Sequence, residues 1–132
     1  MQEIPIYAKE PETASYGRNV IFRNDHLEVV VIHLPTNSST AIHDHGADSI
    51  GCMYVVEGQI TNIEYKADSE GFPQQNDISV IYSGECCIFP YGQIHQLTNP
   101  HNNRVISLHV YSPPLSSVRT YTPYIEVLDF VI

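Results

Sequence analysis

The feature that most limits how this chain can fold is the recurrence, along its whole length, of short β-branched and aromatic runs cut apart by Pro, Gly, Asn, Asp and Ser. Val, Ile, Tyr and Phe suit a pleated, half-buried surface, and the residues between the runs are those that turn a backbone or interrupt pairing. The runs predict strands at Val20–Phe22, Leu27–Leu34, Thr40–His43, Ile50–Val56, Gln59–Tyr65, Ile78–Tyr82, Glu85–Phe89, His95–Thr98 and Val105–Tyr111. Turn chemistry separates them at Asn24-Asp25, Pro35-Thr36-Asn37, Glu57-Gly58, Ser83-Gly84 and Asn99 to Asn103. No stretch repeats apolar residues at the period of an amphipathic helix. Such a pattern folds as an all-β sandwich or small barrel. The polar stretch from Ala67 to Asp77, with Gly71 and Pro73, is expected to form an exposed hairpin tip. Residues 1–14 and 115–132 are expected to be extended arms on one barrel domain spanning 1–132.

A length of 132 residues suits one domain with one core. No apolar run approaches the ~18 residues of a membrane span, and the N-terminal stretch lacks the charged head and apolar core of a secretory signal. A cytoplasmic protein, monomeric or weakly dimeric, is expected. Fifteen acidic residues against six basic ones leave a net charge of −9, which argues against nucleic acid and anionic membranes as partners. Only Lys9, Arg18, Arg23, Lys66, Arg104 and Arg119 can meet a substrate carboxylate. Cys52, Cys86 and Cys87 cannot all pair, and they read as reduced, small, buried residues on strands.

His43 and His45 are separated by one residue, so on a strand their side chains share a face, as metal ligands do. A third ligand is needed for a compact site, and His95, which begins a strand after Pro90-Tyr91-Gly92, is the best placed. His26 and His33 lie in other contexts, and His101, among Asn and Pro, is expected to be solvated. Three imidazoles suit zinc, copper, iron and nickel alike, so the ligands alone leave a zinc hydrolase open.

Gly84, Pro90, Gly92, His95 and Asn99 follow the spacing G-x5-P-x-G-x2-H-x3-N, which resembles the second motif of the cupin superfamily. The first cupin motif is partial. His43, His45 and Gly58 fit it, but the place of a ligating glutamate reads Gly46 to Ile50, where Asp48 is the only carboxylate. The simpler reading is a site of three histidines without a carboxylate. Uncompensated positive charge at such a metal attracts a thiolate.

Three segments narrow the resemblance: Tyr16-Gly17-Arg18-Asn19, Ile42 to Gly46, and Ser107-Leu108-His109-Val110-Tyr111-Ser112-Pro113-Pro114. From Tyr16 to Pro114 their order is similar to the cysteine dioxygenase family (type I), of the bacterial arginine type, within the cupins. The resemblance implies Fe(II) on His43, His45 and His95, and a substrate carboxylate on Arg18 and Tyr16. It also implies that the row Ser107, His109 and Tyr111, on one strand face, sets the tyrosine hydroxyl beside the bound thiol and O2. The implied reaction converts L-cysteine and O2 to cysteine sulfinic acid in cysteine catabolism. The implied fold is the cupin β-barrel, a double-stranded β-helix or jelly roll.

This sequence departs from the family in two places. Animal members cross-link the tyrosine to a cysteine, whereas here Gly51 takes that position and Cys52 points to the opposite face, so no thioether is expected. The helical region that members usually carry before the tyrosine is not seen. Two other functions stay open: a 3-mercaptopropionate dioxygenase, and a metal-binding cupin sensor without turnover.

Overall fold

The β-branched runs form strands throughout residues 16–122, the part of the chain that the computed structural model describes. The strands are β1 (Gly17–Arg23), β2 (Glu28–Leu34), β3 (Ser38–Ser39), β4 (Ile42–His43), β5 (Ile50–Glu57), β6 (Gln59–Ala67), β7 (Pro73–Tyr82), β8 (Cys86–Phe89), β9 (Ile94–Asn99), β10 (Val105–Ser112) and β11 (Thr120–Tyr121). No helix occurs among the described residues, so none is long and apolar enough to cross a membrane. Two antiparallel sheets result, one ordered β1-β2-β10-β5-β8 and the other β11-β4-β9-β6-β7, with β3 added beside β9. All nine strands expected from sequence are present, with shifted ends.

Alternation decides which side chains fill the space between the sheets. Along β5, Gly51, Met53 and Val55 face inward and Cys52 outward; along β10, Ser107, His109 and Tyr111 are buried while Leu108 and Val110 are only half-buried. Val30, Ile32, Leu34, Met53, Val55, Phe89 and Val105 of one sheet meet Ile60, Ile81 and Leu97 of the other in a single cluster. Burying each such side chain stabilises the fold by ~1.5–3 kcal/mol, which outweighs what any one surface contact supplies. The histidines lie against this cluster, with the Phe89 ring centroid 4.3 Å from that of His95 and 5.7 Å from that of His45.

Turn residues have identifiable work. Asn24 Oδ1 accepts from the N–H groups of His26 and Leu27, closing the β1–β2 hairpin. The fully buried Asn99 donates to Leu34 O and Asn103 O and accepts from His101 N, so the asparagine that ends the second cupin motif pins a loop. Gly58 lies at φ 84°, and a Cβ there would stand 2.5 Å from Arg104 O; both the conformation and the close approach require glycine.

Three sequence expectations need correction. The tip of the β6–β7 hairpin is only residues 68–72, with Asp68 Oδ1 accepting from Glu70 N and Phe72 N; the remainder of the stretch from Ala67 to Asp77 is strand. Residues 74–79 of β7 are exposed on both faces, so they carry no apolar alternation that sequence could reveal. Cys52 and Cys86 are exposed and Cys87 half-buried, because the pleat puts the first two on the outer face of the β5–β8 pair. His101 is half-buried, its Nδ1 2.9 Å from Gln59 Nε2, because the turn at residues 100–103 folds back over the start of β6.

Of the expected arms, residues 1–14 and 123–132 lie outside the described residues. Residues 115–121 form a strap tied across the barrel. Asp44 N donates to Arg119 O, Asp44 accepts from Arg119 N and from the Tyr121 hydroxyl, and β11 pairs with β4.

Candidate metal centre

Cross-strand register brings the histidines together. His43 is directly opposite His95 in the β4–β9 pair, and His45 follows two residues on, so the three rings converge with centroids 4.7–5.0 Å apart. One nitrogen from each of the three lies within 4.8 Å of the others. His43 Nδ1 donates to Ala41 O at 2.7 Å and His95 Nδ1 donates to Asn62 Oδ1 at 2.8 Å. Each bond places the proton on Nδ1 and leaves the Nε2 lone pair for another partner.

Burial makes those lone pairs available and expensive to leave alone. His45 is pulled down to about 4, first by burial and then by the neighbouring His43. Burial likewise drives His43 down and His95 well below the ordinary imidazole value. All three rings are therefore neutral near pH 7. His45 Nε2 and His95 Nε2 are buried without a hydrogen-bond partner, and such an atom costs ~1–3 kcal/mol unless something satisfies it. A cation shared by three neutral imidazoles does so, and the residues fit a metal ion. Among the described residues no carboxylate joins this group; Asp48 is exposed, and Asp44 is turned away to the strap. His33, buried, and His26, exposed, also lie outside the group.

The row on β10 stands beside the ligands. Ser107 Oγ lies 2.8 Å from His109 Nε2, and His109 Nδ1 lies 3.1 Å from the Tyr111 hydroxyl. Full burial lowers His109 to about 3, so its ring is neutral, accepting from one hydroxyl while donating to the other. Burial also raises Tyr111, which keeps its phenolic proton. The Tyr111 ring is 4.8 Å from that of His45. Gly51 is opposite Tyr111 in the β5–β10 pair, and a Cβ at Gly51 would meet Tyr111 Cδ1 and Cε1 at 2.7 Å. Cys52 is opposite Val110 on the outer face, where its thiol has no route to the tyrosine.

Tyr16, Arg18, Glu28, His43, His45 and Tyr111 line one cavity of about 410 Å³. All five of those already singled out from sequence therefore open on the same space, while His95, Ser107 and His109 sit behind its wall. Two further residues escaped sequence reasoning. Glu28 is 3% exposed, its Oε2 3.3 Å from Arg18 Nη2 and its Oε1 accepting from Leu115 N at 3.0 Å. Asn62, 1% exposed, orients His95. The signal for Glu28 was a carboxylate opening an otherwise apolar strand; for Asn62 it was an amide between β-branched neighbours.

Fold and site together define a cupin, a double-stranded β-helix with a three-histidine cluster of metal-ligand geometry. An uncharacterized conserved protein with a double-stranded β-helix domain from Klebsiella pneumoniae subsp. pneumoniae shares the fold at TM-score 0.75 and 18% identity, over 90% of this chain and 88% of that one. TT1209 from Thermus thermophilus aligns at TM-score 0.70 and 15% identity, over 86% and 97%. The oxalate decarboxylase of Lactobacillus farciminis, solved as a formate complex, aligns at 0.68 and 16%, over 86% of this chain and 33% of that one. Within this class the chain belongs to the cysteine dioxygenase type I family, whose model matches residues 2–123. Family, fold and cluster support a metal enzyme of the thiol dioxygenase type.

Proposed function

We propose that the protein is a non-haem Fe(II) dioxygenase that converts L-cysteine and O2 to cysteine sulfinic acid. The observation that carries this reading is one cavity shared by two kinds of group. His43 and His45 line it, the latter with a buried Nε2 that lacks a partner, and so does the guanidinium of Arg18. A thiolate and a carboxylate on one small molecule would satisfy both.

His43, His45 and His95 would hold the metal, which would supply O2 activation and a positive centre for the thiolate. Arg18 offers a bidentate fork to the substrate carboxylate, with Tyr16 beside it on the cavity wall. Ile32, Leu97, Leu115 and Val118 line the same cavity and limit water, which strengthens each polar contact inside. The Tyr111 hydroxyl, braced by His109 and Ser107, remains a proton donor at working pH and holds the reacting sulfur in place by hydrogen bonding. Both atoms of O2 end on sulfur, and no external reductant is consumed.

Oxygen uptake by the Fe(II)-loaded protein, coupled to mass detection of the product, tests this. L-cysteine should drive uptake and give a product heavier by two oxygen atoms. No uptake with any thiol would identify a metal-binding module instead, and uptake with 3-mercaptopropionate alone would change the substrate.

A further inference from the structure

We infer that Val118 is a specificity-determining residue: the strap carries it over the histidine cluster as an apolar wall that admits compact thiols and turns away thiols branched beside the sulfur. This rests on the thiol dioxygenase reading above and narrows its substrate class.

The strap of residues 115–121 is anchored at both ends. Leu115 N donates to Glu28 Oε1 at 3.0 Å, and the Leu115 side chain packs against the core cluster. At the far end Arg119 and Tyr121 are bound to Asp44, and Thr120 lies directly opposite His43 in the β4–β11 pair. Directly opposite residues share a face with Cβ atoms ~4.5–5.5 Å apart, so Thr120 stands beside that imidazole. Between the two anchors, no hydrogen bond ties residues 116–118 to other described residues. The course of this span is still defined: a Cβ at Gly46 would meet Ser117 O at 3.5 Å and Ser117 Cβ at 3.7 Å, so the span crosses over the residue that follows His45. Val118 therefore falls between a residue seated against the neighbour of His45 and one next to His43. Its side chain lines the same cavity as both imidazoles, Arg18 and Tyr111.

The fold itself makes little use of this side chain. Val118 is 47% exposed, lies outside the core cluster and is flanked by exposed Ser117 and Arg119. A valine left half in water contributes little to stability, so the rest of its surface acts on what enters the cavity. A thiol held by the metal at its sulfur and by Arg18 at its carboxylate has both ends fixed, and the carbon beside the sulfur must fit between the walls. In L-cysteine that carbon bears two hydrogens. L-penicillamine puts two methyl groups there, keeps the head group and the spacing of thiolate and carboxylate, and adds bulk only on the flank. A single methylene against an apolar wall is enough to discriminate by about 10- to 200-fold.

Anaerobic calorimetric titration of the Fe(II)-loaded protein with L-cysteine and L-penicillamine tests the inference in wild type, Val118→Ala and Val118→Leu. The wild type should favour L-cysteine by about tenfold or more. Val118→Ala should lower that ratio by about fivefold or more, and Val118→Leu should raise it. The two variants move the ratio in opposite directions, so a loss of packing common to both cannot imitate the result. Ratios within about twofold of wild type in both, with normal melting temperatures, remove Val118 from recognition. The wild type provides a check independent of either variant's folding: equal affinity for the two thiols also overturns the inference. Absence of binding by both thiols to the wild type refutes the thiol dioxygenase reading itself, and is distinct from those results.

Discussion

Asn62 offers the sharpest test of how the barrel prepares its ligands. Its Oδ1 accepts from His95 Nδ1 at 2.8 Å, and both side chains are essentially sealed from water. Asn62→Leu preserves approximate volume but leaves the His95 N–H without an acceptor, at a cost of ~1–3 kcal/mol. The ring can then recover a partner by changing tautomer or rotating, and either movement takes the Nε2 lone pair out of line with His43 and His45. Losing an outer partner of a metal-bound histidine lowers affinity by about 10- to 100-fold, or ~1.4–2.7 kcal/mol. Asn62→Asp keeps an acceptor and makes the imidazole a stronger donor to a cation, so it should hold the metal at least as well as wild type. Competition for Co(II) against a chromophoric chelator measures all three proteins without need of turnover. A folded Asn62→Leu variant that binds Co(II) within about twofold of wild type would refute the reasoning and reduce Asn62 to a packing residue.

Three further outcomes are expected. Replacing Tyr111 by Phe removes the hydroxyl 3.1 Å from His109 while keeping the ring, so metal content should stay constant and the yield of sulfinate per O2 consumed should fall; collapse of metal loading would make Tyr111 structural. Gly51→Ala places a methyl 2.7 Å from two Tyr111 ring carbons, which should cost ~1–3 kcal/mol in urea unfolding and lower turnover by displacing the tyrosine; wild-type values for both would contradict the packing described. In chelator-treated protein, His45, His95 and His109 stay neutral when folded, down to about 4 for His45 and about 3 for His109. The unfolded chain takes up protons below ~6.5 and the folded one does not, so stability should fall as pH drops from about 6.5 toward 4. Each such histidine adds ~1.4 kcal/mol per pH unit to the slope, and a flat profile of urea midpoints would show that the rings are not neutral.

Much of the fold and part of the site can be read from residue order, because both follow from local rules. The pleat repeats every two residues, so His43 and His45, and then Ser107, His109 and Tyr111, had to share faces once they lay on extended backbone. Glycine and asparagine punctuation marked where strands stop. Pairing between distant strands obeys no such local rule. Which strand lies beside β4 depends on how two sheets close over a common core, and that closure alone put His95 opposite His43 and Asn62 behind it. Exposure of the cysteines was hidden for a related reason: a strand predicts alternation but not which of its two faces is covered.

The sequence by itself determined an all-β chain and that His43 and His45 share one strand face and Ser107, His109 and Tyr111 another, since periodicity is a property of neighbours along the backbone; Arg18 entered only through the resemblance to a family. Only the tertiary structure decided that Glu28 shares the cavity with Arg18 and that the strap of residues 115–121 is bound across the barrel by Asp44 and Glu28. The physical reason is that a buried charge is held by whatever side chains the whole fold packs around it, and those come from strands far apart in sequence.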